Sequence, residues 1–141
     1  MAHSALGIDV SKDTLDGCLM QEDRQQARRF TNDPKGYAAL HRWVTQQSRA
    51  ERPHVCLEAT GQYSDGIAEQ LYHAGYPVSV VNPARVAGFA QSELSRNKTD
   101  QADAKLLARF AQRAELVVWE PPSEAVRALR ALVDRLQALI D

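Results

Sequence analysis

Apolar and polar residues alternate along the first thirty residues with the period of two that is typical of β-strands. Leu6, Ile8 and Val10 form the first alternating run. Further apolar runs cover residues 15–20 and 27–30, and short polar segments separate the runs. The pattern therefore predicts three consecutive antiparallel strands.

The spacing then becomes helical. Asp33 is a suitable cap residue, Pro34 suits the first helical position, and apolar residues follow at intervals of three or four. This segment predicts a helix that ends near Ser48.

A strand–helix–strand unit is predicted next. The short apolar run of residues 55–58 closes with Glu58 and is typical of a central parallel strand. A helical stripe over residues 64–74 stops at Gly75, and residues 76–81 read as another strand. Such a crossover places the two strands parallel to each other.

Two more helices are expected, a modest one over residues 83–90 and a firmer one over residues 100–113, with a polar loop at residues 91–99. Together these elements predict an α/β domain. Its mixed sheet has three antiparallel strands, then parallel strands with flanking helices.

Two consecutive prolines, Pro121 and Pro122, mark the clearest boundary in the chain. We expect one domain over residues 1–119 and a linker with a heptad helix over residues 120–141. The apolar stripe of that helix runs through Val126, Leu129, Val133, Leu136 and Ile140. It predicts a homo-oligomer formed through a coiled coil, or a helix that packs back on its own domain. Because the stripe is still running at Asp141, we expect a longer protein.

Composition limits the classes of function. The chain has 141 residues, 44% of them hydrophobic, and a net charge of −1, so overall charge gives no sign of a nucleic-acid binder. Cys18 and Cys56 lie in apolar runs without the spacing of a zinc site or a disulfide framework. With no membrane span or signal peptide in the pattern, we expect a cytoplasmic protein.

Four carboxylates lie at the ends of predicted elements: Asp9, Glu58, Asp100 and Asp103. Parallel strands bring Asp9 and Glu58 to the same end of the sheet, provided that Asp9 faces the last helix of the domain. Asp100 and Asp103 share one face of a helix. Carboxylate oxygens are the ligands that magnesium prefers, so the layout suggests a metal site that cleaves phosphodiesters.

Each acid also has a structural interpretation. Asp100 suits a helix cap and Asp103 the first turn of a helix. Asp9 suits a turn, and Glu58 an exposed strand end. The joint occurrence of the four in this order favours the metal site.

Four motifs carry a resemblance to a known family. They are Gly-Ile-Asp-Val-Ser-Lys at 7–12, Leu-Glu-Ala-Thr-Gly at 57–61, Val-Asn-Pro at 81–83 and Arg-Asn-Lys-Thr-Asp-Gln-Ala-Asp-Ala at 96–104. In this order they resemble the N-terminal domain of the DEDD insertion-sequence transposases, which include the Piv-type pilin-gene-inverting recombinases. The resemblance covers residues 5–113.

The resemblance implies a ribonuclease H-like domain of the RuvC type. It also implies a catalytic acidic tetrad of Asp9, Glu58, Asp100 and Asp103 that binds Mg²⁺, with Mn²⁺ as an alternative ion. The implied function is a DNA transposase or site-specific recombinase that acts on DNA phosphodiesters. Some members are guided by a structured RNA, and members have a later domain with a serine nucleophile. Ser123 is better explained as a helix cap than as that nucleophile.

Basic residues flank the acids and are candidates for contacts with a nucleic-acid backbone: Lys12, Arg85, Arg96, Lys98 and Lys105. A solvated loop or turn explains several of them equally well.

Other functions stay open at the level of sequence. Sugar kinases and actin-like ATPases also begin with Gly-Ile-Asp, but they need a glycine-rich phosphate turn after it, where this chain has Val10-Ser11-Lys12-Asp13. Another ribonuclease H-like nuclease, or a non-enzymatic dimerising nucleic-acid-binding module, is the remaining alternative.

Overall fold

The computed structural model describes residues 4–22, 24–48, 52–93 and 104–140. The strands in these residues are β1 (Ala5–Val10), β2 (Thr14–Gln21), β3 (Arg24–Thr31), β4 (His54–Glu58) and β5 (Val78–Val81). They form one sheet in the order β3-β2-β1-β4-β5. β1, β2 and β3 are antiparallel, whereas β1, β4 and β5 are parallel. The predicted α/β mixed sheet, with three antiparallel strands followed by parallel strands, is therefore confirmed.

The α-helices of the described residues are α1 (Pro34–Gln47), α2 (Asp65–His73), α3 (Pro83–Glu93), α4 (Ala104–Arg113) and α5 (Glu124–Ile140), and a short 3-10 helix at Gly61–Ser64 precedes α2. α1 begins as predicted, because Asp33 accepts a hydrogen bond of 2.8 Å from the Gly36 amide. Ser123 caps α5, where its hydroxyl accepts a bond of 3.2 Å from the Val126 amide. The interpretation of Ser123 as a cap residue is thus confirmed.

Three element bounds differ from the predictions by more than one residue. β3 begins at Arg24, earlier than predicted, because an edge strand with two largely exposed faces carries little apolar alternation. β5 begins at Val78 because Pro77 has no amide hydrogen to donate to the ladder. α3 continues through Glu93, so the first residues of the predicted polar loop are helical.

Each face of the sheet has its own core, since successive strand residues point to opposite faces. The first core lies under α1 and α2, and its β1 residues are Leu6, Ile8 and Val10. The second core lies under α3 and α4, and its strand residues are Ala5, Cys18, Met20, Cys56 and Val81. We call the second face the α4 face.

The two edges of the sheet differ. Residues 117–119 run along β5, where the Trp119 amide donates to the Val78 carbonyl at 2.6 Å and the Ser79 hydroxyl donates to the Val117 carbonyl at 2.8 Å. β3 forms the opposite edge, and most of its residues are exposed. Charged residues along such an edge discourage pairing with other chains.

The last helix is almost detached from the domain. α5 has no buried residue, and Arg127 Nη2 lies 2.6 Å from Glu69 Oε1 on α2. Its apolar stripe is exposed, with Leu129 at 60% and Leu136 at 51%. The division of the chain near residue 120 and the coiled-coil role of this helix stay predictions. No helix in the described ranges is long and apolar enough to cross a membrane.

Candidate active site

Asp9 and Glu58 lie on neighbouring parallel strands. Ile8 pairs with Leu57 at the end of the β1–β4 ladder, and the two acids are the residues that follow. Ile8 and Leu57 point into the core under α1 and α2. Because successive side chains of a strand point to opposite faces, Asp9 and Glu58 point to the α4 face. The structure thus brings together these two predicted site residues, and Asp9 faces the side required by the prediction.

The electrostatics of this pair is unfavourable without a cation. Burial raises the pKa of Glu58, and the negative charge of Asp9 raises it further. Burial also raises the pKa of the Cys56 thiol to about 12, so Cys56 stays protonated beside the acids. The oxygen atoms of Asp9 and Glu58, and not this sulfur, are the suitable metal ligands.

The start of α4 lies directly on β1. A Cβ atom on Gly7 would collide with the Ala104 carbonyl oxygen and the Ala108 amide nitrogen, so this close approach requires glycine. Ala104 is the residue that follows Asp103 in the sequence. Asp100 and Asp103 themselves lie outside the described residues.

The sequence interpretation missed Asp16 and Arg29. Asp16 pairs with Asp9 across β1 and β2, and Arg29 pairs with Asp16 across β2 and β3, so all three lie in one row on the α4 face. Arg29 Nε donates to Asp16 Oδ1 at 2.7 Å. Finding this row from the sequence would require the registers of two hairpins, β1–β2 and β2–β3.

An open groove of about 470 Å³ joins the row to the start of α4. Asp9, Asp16, Arg29, Ala104 and Lys105 are among its lining residues. The hydrogen bond and charge of Asp16 raise the pKa of Arg29, and the charge of Asp9 adds a smaller contribution. Carboxylates and cationic groups therefore both line the groove.

The other predicted basic residues are placed differently. Lys12 lies in the exposed turn after β1. Arg85 is exposed, and its guanidinium carbon lies 5.5 Å from the centre of the Phe110 ring. Arg96 and Lys98 lie outside the described residues. A role of any of the five in nucleic-acid binding stays a prediction.

Asn32 connects the loops that follow the two acidic strands. Its Nδ2 group donates to the Ser11 carbonyl at 2.8 Å and to the Tyr63 carbonyl at 3.0 Å. The Tyr37 hydroxyl donates to Asn32 Oδ1 at 2.9 Å, which uses the remaining side of the amide. This network fixes the turn after Asp9 relative to the turn after Glu58.

The described residues supply part of the ligand set that a hard divalent cation needs. In the ranges the structure describes, no group of three or more His, Cys, Asp or Glu side chains is placed to hold a metal ion. Asp9 and Glu58 offer two oxygen ligands with a mutual repulsion that a cation would relieve. Beside them, the buried Thr60 Oγ1 has no hydrogen-bond partner among the described residues.

Comparisons with known proteins agree with the sequence motifs. A family model of the DEDD class, described as transposase, matches residues 6–141. The pilin gene-inverting proteins of Moraxella lacunata and Moraxella bovis are each 34% identical over 134 residues, which cover 94% of this chain and 42% of each relative. The chain therefore spans less than half the length of the curated relatives it matches.

Two solved structures of a RuvC protein from Thermus thermophilus also align. The structure in complex with a Holliday junction substrate has a TM-score of 0.46 at 16% identity and covers 75% of this chain and 90% of that chain. A second RuvC structure has a TM-score of 0.41 at 16% identity, covering 74% and 90%. On the evidence of the family model and the pilin gene-inverting relatives, this chain belongs to the DEDD transposase family.

Proposed function

We propose that this chain is the metal-dependent domain of a DNA transposase or site-specific recombinase. The observation that carries the proposal is the placement of Asp9 and Glu58 on adjacent parallel strands, on the face that the start of α4 covers. Membership of the DEDD transposase family supports DNA as the substrate.

In this proposal Asp9 and Glu58 hold Mg²⁺, with Mn²⁺ as an alternative ion, and Asp100 and Asp103 complete the ligand set. Ala104, which follows Asp103, contacts the strand that carries Asp9, and this supports the assignment of the second pair. When bound, the ion would polarise a phosphodiester of the DNA and stabilise the charge that develops there. The protein side chains fix the ion relative to the groove, and Asn32 holds together the two loops that follow the strands carrying the first pair of acids.

Cationic side chains then orient the DNA backbone. Lys105 lines the groove beside Asp9, and this position supports a contact with phosphate. We extend the same role to Lys12, Arg85, Arg96 and Lys98 from the sequence. Contacts of this kind determine position and affinity but not base sequence.

Three further features of the proposal come from the sequence. The exposed apolar stripe of α5 would pair with a second copy of the chain, because such a stripe is stabilised by burial. A structured guide RNA is a possible partner that the family resemblance implies. The protein would act in the cytoplasm, and the two buried free cysteines are compatible with a reducing compartment.

Metal titration tests the central claim. Calorimetry with Mn²⁺ should detect binding to the protein, and Asp9→Asn or Glu58→Gln should weaken it by at least about tenfold. Even outer-shell partners of metal ligands contribute about 10–100-fold to affinity.

Asp134→Asn is the matched control, because it removes one carboxylate charge from α5, away from the sheet. Equal Mn²⁺ affinity in the control and in both site variants would show that Asp9 and Glu58 are not ligands.

A further inference from the structure

The side chain of Arg29 is held in a defined orientation at the open edge of the sheet. Besides the bond from Nε, its Nη2 group donates to Asp16 Oδ2 at 3.3 Å, so the guanidinium and the carboxylate meet along two bonds. The side chain of Arg29 is nevertheless 69% exposed and that of Asp16 38% exposed. Exposed ion pairs contribute only about 0–1 kcal/mol to stability, so the fold alone does not explain this pair.

The pair leaves part of the guanidinium unused. A guanidinium has five N–H donors in a planar fork, and Asp16 occupies the Nε and Nη2 groups. Within the described ranges, Nη1 donates no hydrogen bond. Planar donors of this kind match the oxygen atoms of a phosphate.

The distance to the proposed metal site suits a neighbouring phosphate. β2 lies between β1 and β3, so the backbones at Asp9 and Arg29 are two strand spacings, or about 10 Å, apart. The groove described above connects the two positions. A nucleic-acid strand with one phosphate at Asp9 and Glu58 can therefore present another phosphate to Arg29.

We propose that Arg29 binds a backbone phosphate of DNA next to the phosphate at the acidic site, and that Asp16 is a positioning residue for its guanidinium. This inference rests on the proposed function of Asp9 and Glu58. It assigns a nucleic-acid contact to β3, a strand that the sequence motifs do not include.

Binding of a short fluorescein-labelled DNA duplex, followed by anisotropy at several salt concentrations, tests the role of Arg29. Arg29→Ala should weaken binding about tenfold, the value expected for a lost hydrogen bond between charged groups. It should also reduce the slope of log affinity against log salt by about 0.9, the contribution of one phosphate contact. The loss should be the same for duplexes of unrelated sequence, because phosphate contacts carry no sequence information.

Arg24→Ala is the matched control. Arg24 is on the same strand, but it lies on the opposite face of the sheet, where it donates to the Gln47 carbonyl at 3.4 Å. Its removal changes the net charge equally and should leave the salt slope unchanged. Equal losses in the two variants, or no loss in Arg29→Ala, would overturn the assignment, as would wild-type protein that does not bind the duplex.

Arg29→Lys separates charge from geometry. This variant should keep the salt slope of the wild type, because the charge remains, while its affinity falls, because an ammonium group lacks the planar fork. Full affinity in Arg29→Lys would show that the fork held by Asp16 has no function.

A double-mutant cycle tests Asp16. If Asp16 acts through Arg29, Asp16→Asn should change DNA affinity by a different factor in the wild type than in Arg29→Ala. The same factor in both backgrounds would mean that Asp16 only repels DNA.

Mn²⁺ binding measured in parallel keeps the two proposals apart. If Arg29→Ala binds both Mn²⁺ and DNA like the wild type, only the proposed Arg29 contact is contradicted. If the wild type does not bind metal, the proposed function is contradicted.

Discussion

The two faces of the sheet use the same strands for different purposes. On the face under α1 and α2, β1 contributes Leu6, Ile8 and Val10, all nearly inaccessible to solvent. On the α4 face β1 contributes the small residues Ala5 and Gly7, followed by Asp9. Asp9 begins the row of charged residues at the end of this face. The first face buries a large apolar volume. The second buries less apolar surface, but α4 packs closely on it and it carries a set of carboxylates. Stability and the proposed function are thus separated across one sheet.

The largest effect on stability should come from the first face. Leu40 on α1 is 0% exposed, and Leu40→Ala should lower the free energy of unfolding by about 2–5 kcal/mol, the usual cost of such a cavity. Urea denaturation measures this loss. Mn²⁺ affinity of the folded variant should equal that of the wild type, since α1 lies on the opposite face from the acids. A large fall in affinity would show that the two faces are coupled.

A substitution on the α4 face should have the opposite result, with a smaller loss of stability and a fall in metal affinity. Gly7→Ala forces α4 away from β1, because the new methyl group would collide with the backbone of α4. Overpacking of this kind typically costs about 1–3 kcal/mol, less than the cavity in Leu40→Ala. Mn²⁺ affinity should nevertheless fall, because α4 follows directly on Asp103 and its displacement moves the proposed second pair of ligands. Denaturation and metal titration on the same samples measure both quantities.

Gly17→Ala is the control for Gly7→Ala. It is the same substitution in the neighbouring strand, and a Cβ atom there would have its nearest neighbours at an ordinary 3.6 Å. Metal affinity should be unchanged. If Gly17→Ala and Gly7→Ala reduce metal affinity equally, the contact between α4 and β1 does not position the ligands.

The sequence was sufficient to predict Asp9 and Glu58 as neighbours, because each directly follows an apolar run and parallel strands end at the same side of a sheet. It was not sufficient for the row that continues to Arg29. Asp16 and Arg29 are 13 residues apart, and their contact depends on the hairpin register, which local patterns do not determine. On an exposed edge strand, Arg29 looks like any solvated arginine.

The close contact between α4 and β1 was also outside the reach of local patterns. The motif residue Gly7 could be explained by a strand, a turn or a contact, and only the packing of Ala104 and Ala108 against it decides between them. Asp100 and Asp103 were assigned through the family resemblance and not through geometry. Among the variants above, Gly7→Ala bears on their role, because it displaces the helix that follows them in the sequence.

The smallest effect should appear in Glu58→Gln without metal, where the variant should be more stable than the wild type at pH 7. In the folded protein the pKa of Glu58 is raised by burial and by Asp9. A carboxyl group with a raised pKa stabilises the fold fully below its unfolded pKa of about 4.3, and this contribution is lost as pH rises through the folded value. Glutamine avoids this loss, so the midpoint of thermal unfolding should rise by about 1–4 °C.

Acid and metal should each remove that advantage. Well below the unfolded pKa, Glu58 is protonated in both states, and the two proteins should unfold at similar temperatures. At pH 7, Mn²⁺ at about one hundred times its dissociation constant should stabilise the wild type by about 2.7 kcal/mol and reverse the order of the two midpoints. A Glu58→Gln protein that is less stable than the wild type at pH 7 without metal would show that Glu58 supports the fold. The separation of stability and function between the two faces would then fail at the residue where it should be clearest.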